Sequence, residues 1–341
     1  MNNVDELKVH VAAHAASLGI PDADYQELVG RIQHDGVGPT SWVYEWSRAA
    51  EELEAEGDLV QAGVYYNFAR FPFVDGNARR DALENCVRTV EEWRHEVPAV
   101  QRLDLDILGG QVGAWTTGLY PDHGSDRPLL VLTGGIVSIK EQWVPVLLVA
   151  RELGLAAVVT EMPGVGENTL RYTDDSWRMF PALLDALDGS ADVSRTFAMA
   201  LSFSGHLALR WALEDTRLRG LVTVGAPVRA LFTDRAWQRE LPPVTVDTLA
   251  HLTGSSPEQL PALLPGWALT DDQLAKIDIP VRYVASARDE IIPPADVALL
   301  RAGLRDVEVL EHDDVHGAPR HAAQTRAWMV QALQALLNAT P

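Results

Sequence analysis

Three side chains far apart in the chain have the types and settings that nucleophilic acyl chemistry requires. Ser202 stands in Met199-Ala200-Leu201-Ser202-Phe203-Ser204-Gly205-His206. The residues before it, Thr196 to Ala200, are short, apolar and β-compatible, and from Gly205 to Asp215 leucines, alanines and a tryptophan recur at helical spacing. A serine at the sharp corner between a buried strand and a helix is a nucleophile elbow. Such an elbow needs small residues two before and two after the nucleophile, because the two backbones nearly touch. Ala200 and Ser204 fill those places. Ser204 is the poorer nucleophile candidate, since the bulky His206 would sit at its own +2 place. A Ser-rich helix N-cap is the alternative reading of the octapeptide.

A serine hydroxyl needs a base, and the base needs an orienting carboxylate. Val281 to Ala285 reads as a late strand and leads into Ser286-Ala287-Arg288-Asp289-Glu290-Ile291-Ile292-Pro293. Asp289 sits just past that strand, with Glu290 as its competitor and Asp234 as a more distant one. Val307 to Leu310 reads as the last strand and leads to Glu311-His312-Asp313-Asp314-Val315-His316-Gly317. His316, before a glycine at the expected start of the final helix, is the candidate base; His312 and His321 compete. The order Ser202, Asp289, His316 is that of a strand–turn–helix hydrolase. A tetrahedral intermediate also needs an oxyanion hole. One donor is the backbone N–H of Phe203; the other comes from Gly134-Gly135-Ile136, where Gly135 and Ile136 are equal candidates.

Other constellations carry less. Glu6, His10 and His14 share a helix face but lack the partner set of a zinc site, and the His312, Asp313, Asp314, His316, His321 cluster has no common metal spacing. No metal or cofactor is expected. Pro163-Gly164-Val165-Gly166-Glu167 lacks both G-x-G-x-x-G and a P-loop lysine, so it reads as a tight turn.

Those residues need a scaffold, and the periodicity supplies one. Residues 1 to 97 read as helical, with Trp42, Trp46, Tyr65, Tyr66 and Phe68 in apolar stripes between charged faces. Pro98 marks a boundary. Beyond it come a hairpin across Gly109-Gly110, the apolar strand Pro128 to Leu132, a helix from Lys140 to Leu153, and the strand Ala156 to Thr160. A helix from Asp174 to Leu187 precedes the elbow, and the strand Gly220 to Val224 follows it; Val315 to Leu337 closes the chain as a helix. Alternation of this kind implies a mostly parallel, eight-stranded-type sheet with helices on both faces. Residues 228–278 interrupt it with helical patches, Trp237 and Trp267. An insertion there lies over the ligand-binding face of such a sheet, so it is expected to be a lid, with both tryptophans as substrate-binding candidates. The division is therefore a helical N-terminal domain (1–97) covering the active site, and a catalytic domain (98–341).

The chain has 341 residues, 47% of them apolar and 22% charged, which places it among globular proteins. A formal net charge of −20 disfavours nucleic acid and anionic membrane as partners. One cysteine, Cys86, suits a reducing compartment, and no apolar run approaches membrane-spanning length. A cytoplasmic enzyme with a small-molecule substrate is the expectation, with a homodimer left open.

With these pieces in order, the chain resembles the α/β-hydrolases, and within them the FrsA-like esterase group with a helical N-terminal domain. That group includes dihydroxypseudooxynicotine hydrolase and polyketide-processing hydrolases. Besides the triad, the resemblance rests on the glycine pair running into Ser138-Ile139-Lys140-Glu141, on Met162-Pro163-Gly164-Val165-Gly166-Glu167, and on the helices ending in Ala69-Arg70-Phe71-Pro72. Ala200 and Ser204 stand where glycines are usual, Val137 where an acidic residue is common, and Glu161 where aspartate commonly precedes the proline-glycine turn. The resemblance implies hydrolysis of a carboxylic ester, or of a carbon–carbon bond next to a ketone, in secondary metabolism. Its alternatives are a lyase that eliminates a group such as acetate in polyketide tetronate biosynthesis, and a non-catalytic ligand-binding protein of the same fold.

Overall fold

The apolar runs become the centre of a sheet. The computed structural model describes residues 2–119 and 126–339. The chain folds as two compact units, Met1–Gln101 and Arg102–Pro341.

The first unit holds α1 (Val4–Ser17), α2 (Asp22–Arg31), α3 (Trp42–Ala55), α4 (Leu59–Arg70) and α5 (Asn77–Trp93). Side-chain caps set several starts. Asn3 accepts from the Asp5 and Glu6 N–H groups, Ser41 from Tyr44, and Asp58 from Gln61. The aromatic stripe packs on itself. Trp46 lies 5.3 Å from Tyr65 and 5.1 Å from Phe68 between ring centroids, and the Trp42 indole donates to the Phe68 carbonyl at 2.7 Å.

The sheet consists of β1 (Gln101–Ile107), β2 (Gly110–Thr117), β3 (Pro128–Thr133), β4 (Ala156–Thr160), β5 (Asp192–Leu201), β6 (Leu218–Val224), β7 (Val281–Ser286) and β8 (Val307–His312). Their spatial order is β1-β2-β4-β3-β5-β6-β7-β8. β2 runs antiparallel to β4, and every pairing from β4 through β8 is parallel. β3 and β4 are buried almost throughout because helices cover both faces. The connecting helices are α6 (Val144–Glu152), α7 (Met179–Leu187) and α8 (Phe203–Trp211).

The segment between β6 and β7 folds into α9 (Ala230–Thr233), α10 (Arg235–Glu240), α11 (Pro243–Thr253), α12 (Leu260–Leu263) and α13 (Asp271–Lys276). A capping box between Thr270 and Gln273 starts α13, and Gly254, at φ +65°, ends α11. The segment is tied to α14 (Pro294–Gly303) by the buried Asp296, whose two carboxylate oxygens accept the N–H groups of Val228, Arg229, Ala230 and Leu231. The final helix, α15 (Ala322–Ala339), begins later than the pattern from Val315 suggests. Gly317 at φ +77° and Ala318 at φ +50° turn the chain out of helical geometry, and Pro319 opens only a 3₁₀ turn. That delay leaves His316 in a loop. Among the described residues, no helix is long and apolar enough to cross a membrane.

Candidate active site

β5 ends at Leu201 and α8 begins at Phe203, so the single residue between them makes the whole turn. Ser202 makes it at φ +57°, ψ −128°, a conformation that costs a side-chain-bearing residue energy and persists only where surroundings over-determine it. They do so here. The Ser202 N–H donates to Val224 on β6 at 2.7 Å, and its carbonyl accepts the Gly205 N–H at 2.9 Å.

Ser204 has different work. Its fully buried hydroxyl lies 2.8 Å from the Thr133 carbonyl and 2.9 Å from the Leu201 carbonyl, locking the helix start to the end of β3. The close approach expected two residues past the nucleophile falls one residue later. A Cβ on Gly205 would lie 2.2 Å from Thr223 Oγ1 and 2.6 Å from Ala226 Cβ. Gly205→Ala is therefore expected to destabilise the fold by about 1–3 kcal/mol through overpacking, read as a lower melting temperature. His206, behind the elbow, is a core residue: burial holds its pKa down to about 3, and it packs on Phe232 at 4.6 Å.

The three separated candidates meet. Ser202 Oγ lies 2.9 Å from His316 Nε2, and His316 Nδ1 lies 2.9 Å from Asp289 Oδ2 and 3.0 Å from Oδ1. Asp289 is itself held by the Ile291 and Ile292 N–H groups, at 2.9 and 2.7 Å. Burial disfavours the imidazolium, but the Asp289 carboxylate, its hydrogen bond and Glu290 outweigh that and raise the His316 pKa above its ordinary value.

The competing residues are engaged elsewhere. Glu290 is no substitute acid: its carboxylate accepts the backbone N–H of His316 at 3.0 Å, leaving the ring to Asp289. Asp234 is exposed and caps α10 through the Ala236 and Trp237 N–H groups. His312 reaches Thr325 and stacks on His321 at 4.5 Å, while His321 turns to Asp314.

The glycine turn after β3 lies beside the nucleophile. A Cβ on Gly135 would fall 3.0 Å from Ser202 Cβ, so any side chain there would crowd the nucleophile. Ile136 follows it, buried, and Phe203 opens α8, where backbone N–H groups lack intrahelical partners. Sequence reasoning missed one contributor. Gly225, after β6 at φ +59°, leaves room for the His316 ring; a Cβ there would lie 2.7 Å from His316 Cε1. The signal was a glycine directly after an apolar strand, within Val224-Gly225-Ala226-Pro227.

Of the two tryptophans in the insertion, Trp237 is half-buried and donates its indole N–H to the Ile291 carbonyl in the acid loop at 2.8 Å. Trp267 is buried within the insertion, against Tyr172 at 4.6 Å and Phe232 at 6.0 Å.

A serine at a strained strand–helix corner, on an eight-stranded, mostly parallel sheet, defines the α/β-hydrolase class. The chain belongs to the FrsA-like esterase family, whose description, Esterase FrsA-like, matches residues 31–278; it is an α/β-hydrolase-type enzyme. Esterase FrsA of Escherichia coli (strain K12) is 27% identical over 300 residues, covering 80% of this chain and 71% of that protein. The solved structure of wild-type AbyA5 is 52% identical with a TM-score of 0.95, covering 99% of this chain and 95% of the other. That of 2,6-dihydroxy-pseudo-oxynicotine hydrolase shares the fold at TM-score 0.76 and 19% identity, covering 96% of each chain.

Proposed function

We propose that the chain is a serine-nucleophile hydrolase acting on a carboxylic ester of a small, largely apolar organic molecule, of the kind handled in polyketide and other secondary metabolism. The observation that carries this reading is the continuous relay from Ser202 Oγ through His316 to Asp289. With the Asp289 carboxylate at Nδ1, the ring proton sits there and Nε2 is free to accept. His316 Nε2 takes the hydroxyl proton as Ser202 Oγ bonds to the ester carbonyl carbon. The negative charge on the carbonyl oxygen meets the Phe203 N–H and the turn at Gly135 and Ile136. Collapse of that intermediate releases the alcohol, which takes the proton back from His316. A water molecule, deprotonated by the same nitrogen, then frees the acid and restores Ser202. The family's esterase name supports the ester over a carbon–carbon bond.

The test is turnover of a panel of short-acyl esters in ¹⁸O-water. Hydrolysis places the label in the released acid. An alkene product without label overturns the reading in favour of elimination, with His316 as a base on carbon.

The rate should also follow His316. Only the neutral ring accepts a proton, so kcat/KM is expected to rise with pH through an inflection above the ordinary imidazole value. The stability linkage has the opposite sign. Because the folded pKa is raised, the His316–Asp289 pair stabilises fully below the unfolded value of about 6.5, and the contribution is lost as pH rises through the folded pKa. A pH–rate profile set beside melting temperatures across the same range checks both directions.

A further inference from the structure

The glycine-containing turn at 163–167, which holds no phosphate signature, wraps an internal carboxylate instead. Thr133 pairs with Thr160 in the β3–β4 register, so Gly134 and Glu161 leave the sheet side by side. Glu161 is fully buried. One of its oxygens accepts the backbone N–H of Lys140 at 3.2 Å, and the other accepts that of Glu167 at 3.1 Å. Gly166 closes over it, and a Cβ there would fall 2.0 Å from Glu161 Oε1. Lys140 ends the stretch that begins with the oxyanion turn, which is folded by the Ser138 N–H donating to the Gly135 carbonyl at 3.1 Å.

We propose that Glu161 is a positioning residue for the oxyanion turn: its carboxylate grips the backbone at Lys140 and Glu167 and so holds Gly135 and Ile136 against Ser202. The inference rests on the serine-hydrolase reading above.

The charged groups around the carboxylate support this role. The buried Lys140 ammonium lies 3.5 Å from Glu161, 2.9 Å from Glu141 and 2.5 Å from Glu167. Arg102, on β1, pairs with Glu167 at 2.8 Å and with Asp104, and lies over the Trp115 ring at 5.2 Å. Trp115 in turn donates its indole N–H to Glu141 at 2.9 Å. Burial pushes the Glu161 pKa up, Lys140 pulls it back, and Glu141 and Glu167 push again, leaving it at about 7. The ionised form matches the donors that face it. Acidification through that range therefore removes the charge that grips the two N–H groups.

The variant to make is Glu161→Gln, which presents an NH₂ group to one of two N–H donors that both need an acceptor. The expected result is a kcat lower by roughly 10- to 100-fold, the scale of a misplaced oxyanion donor or substrate. KM is expected to stay within about threefold, because the loss falls on the transition state. Inactivation by a phosphonate probe that reacts at Ser202 should slow in parallel. The acid side of the pH–rate profile should lose the Glu161 inflection and keep that of His316. Glu161→Asp, which keeps the charge, should recover most of the rate. If Glu161→Gln fails to fold, the charge-balanced double variant Lys140→Met/Glu161→Gln is expected to show the same kcat loss. A folded variant within about twofold of the wild-type kcat, with an unchanged pH profile, overturns the proposal while leaving the serine reading intact. A wild-type protein that turns over ester without labelling at Ser202 overturns both.

Discussion

Ser202→Ala is expected to lower kcat by roughly 10⁴ to 10⁶, the range seen when a triad nucleophile is removed, with the fold preserved. The structure gives reasons for both halves. The Ser202 hydroxyl faces His316 Nε2 at 2.9 Å, whereas the strained turn is held by its backbone, through the N–H to Val224 and the carbonyl to Gly205. Alanine keeps those bonds and the same burden at positive φ. Ser204→Ala should behave in the reverse way. It deletes the one O–H that the Thr133 and Leu201 carbonyls share, which costs on the order of 1 kcal/mol, and leaves the nucleophile in place. Steady-state kinetics, thermal melts and phosphonate labelling of the two variants read the contrast directly. Near-native turnover by Ser202→Ala, with loss in Ser204→Ala, would move the nucleophile to Ser204.

Asp289→Asn is expected to cost roughly 10⁴ in kcat, as in the worked serine-protease case. Asp289 Oδ1 accepts the Ile291 and Ile292 N–H groups, so an asparagine keeps its carbonyl oxygen there and turns its NH₂ toward His316 Nδ1. That nitrogen must then accept, the ring proton moves to Nε2, and Ser202 Oγ meets a donor where it needs a base. The geometry survives and the tautomer is wrong. Glu290→Gln is the control, because an amide carbonyl can still accept the His316 backbone N–H. Its effect should stay within about tenfold, since Glu290 meets His316 only at the backbone N–H and is the smallest of the influences that favour its imidazolium. A mild effect at Asp289 with a severe one at Glu290 would relocate the acid.

The chain by itself determined what local pattern can encode. Apolar runs such as Leu129 to Leu132 announced buried strands, because a parallel strand covered on both faces must be apolar throughout. The order of strand ends carrying Ser202, Asp289 and His316 pointed to the three side chains that the fold brings within hydrogen-bond reach. Tertiary structure decided what depends on which atom faces which. Asp289 and Glu290 are neighbours of like charge, and only the loop geometry gives one the imidazole and the other the backbone N–H. Gly205 outranks Ser204 as the tight position because Thr223 and Ala226, from β6 and beyond, set the clearance. Lys140 and Glu161 lie 21 residues apart, and an ion pair at that separation leaves no periodic trace. It exists because the parallel register of β3 and β4 carries Gly134 and Glu161 out of the sheet together. Periodicity reports the faces of single elements; contacts between elements depend on register, which no window of sequence contains.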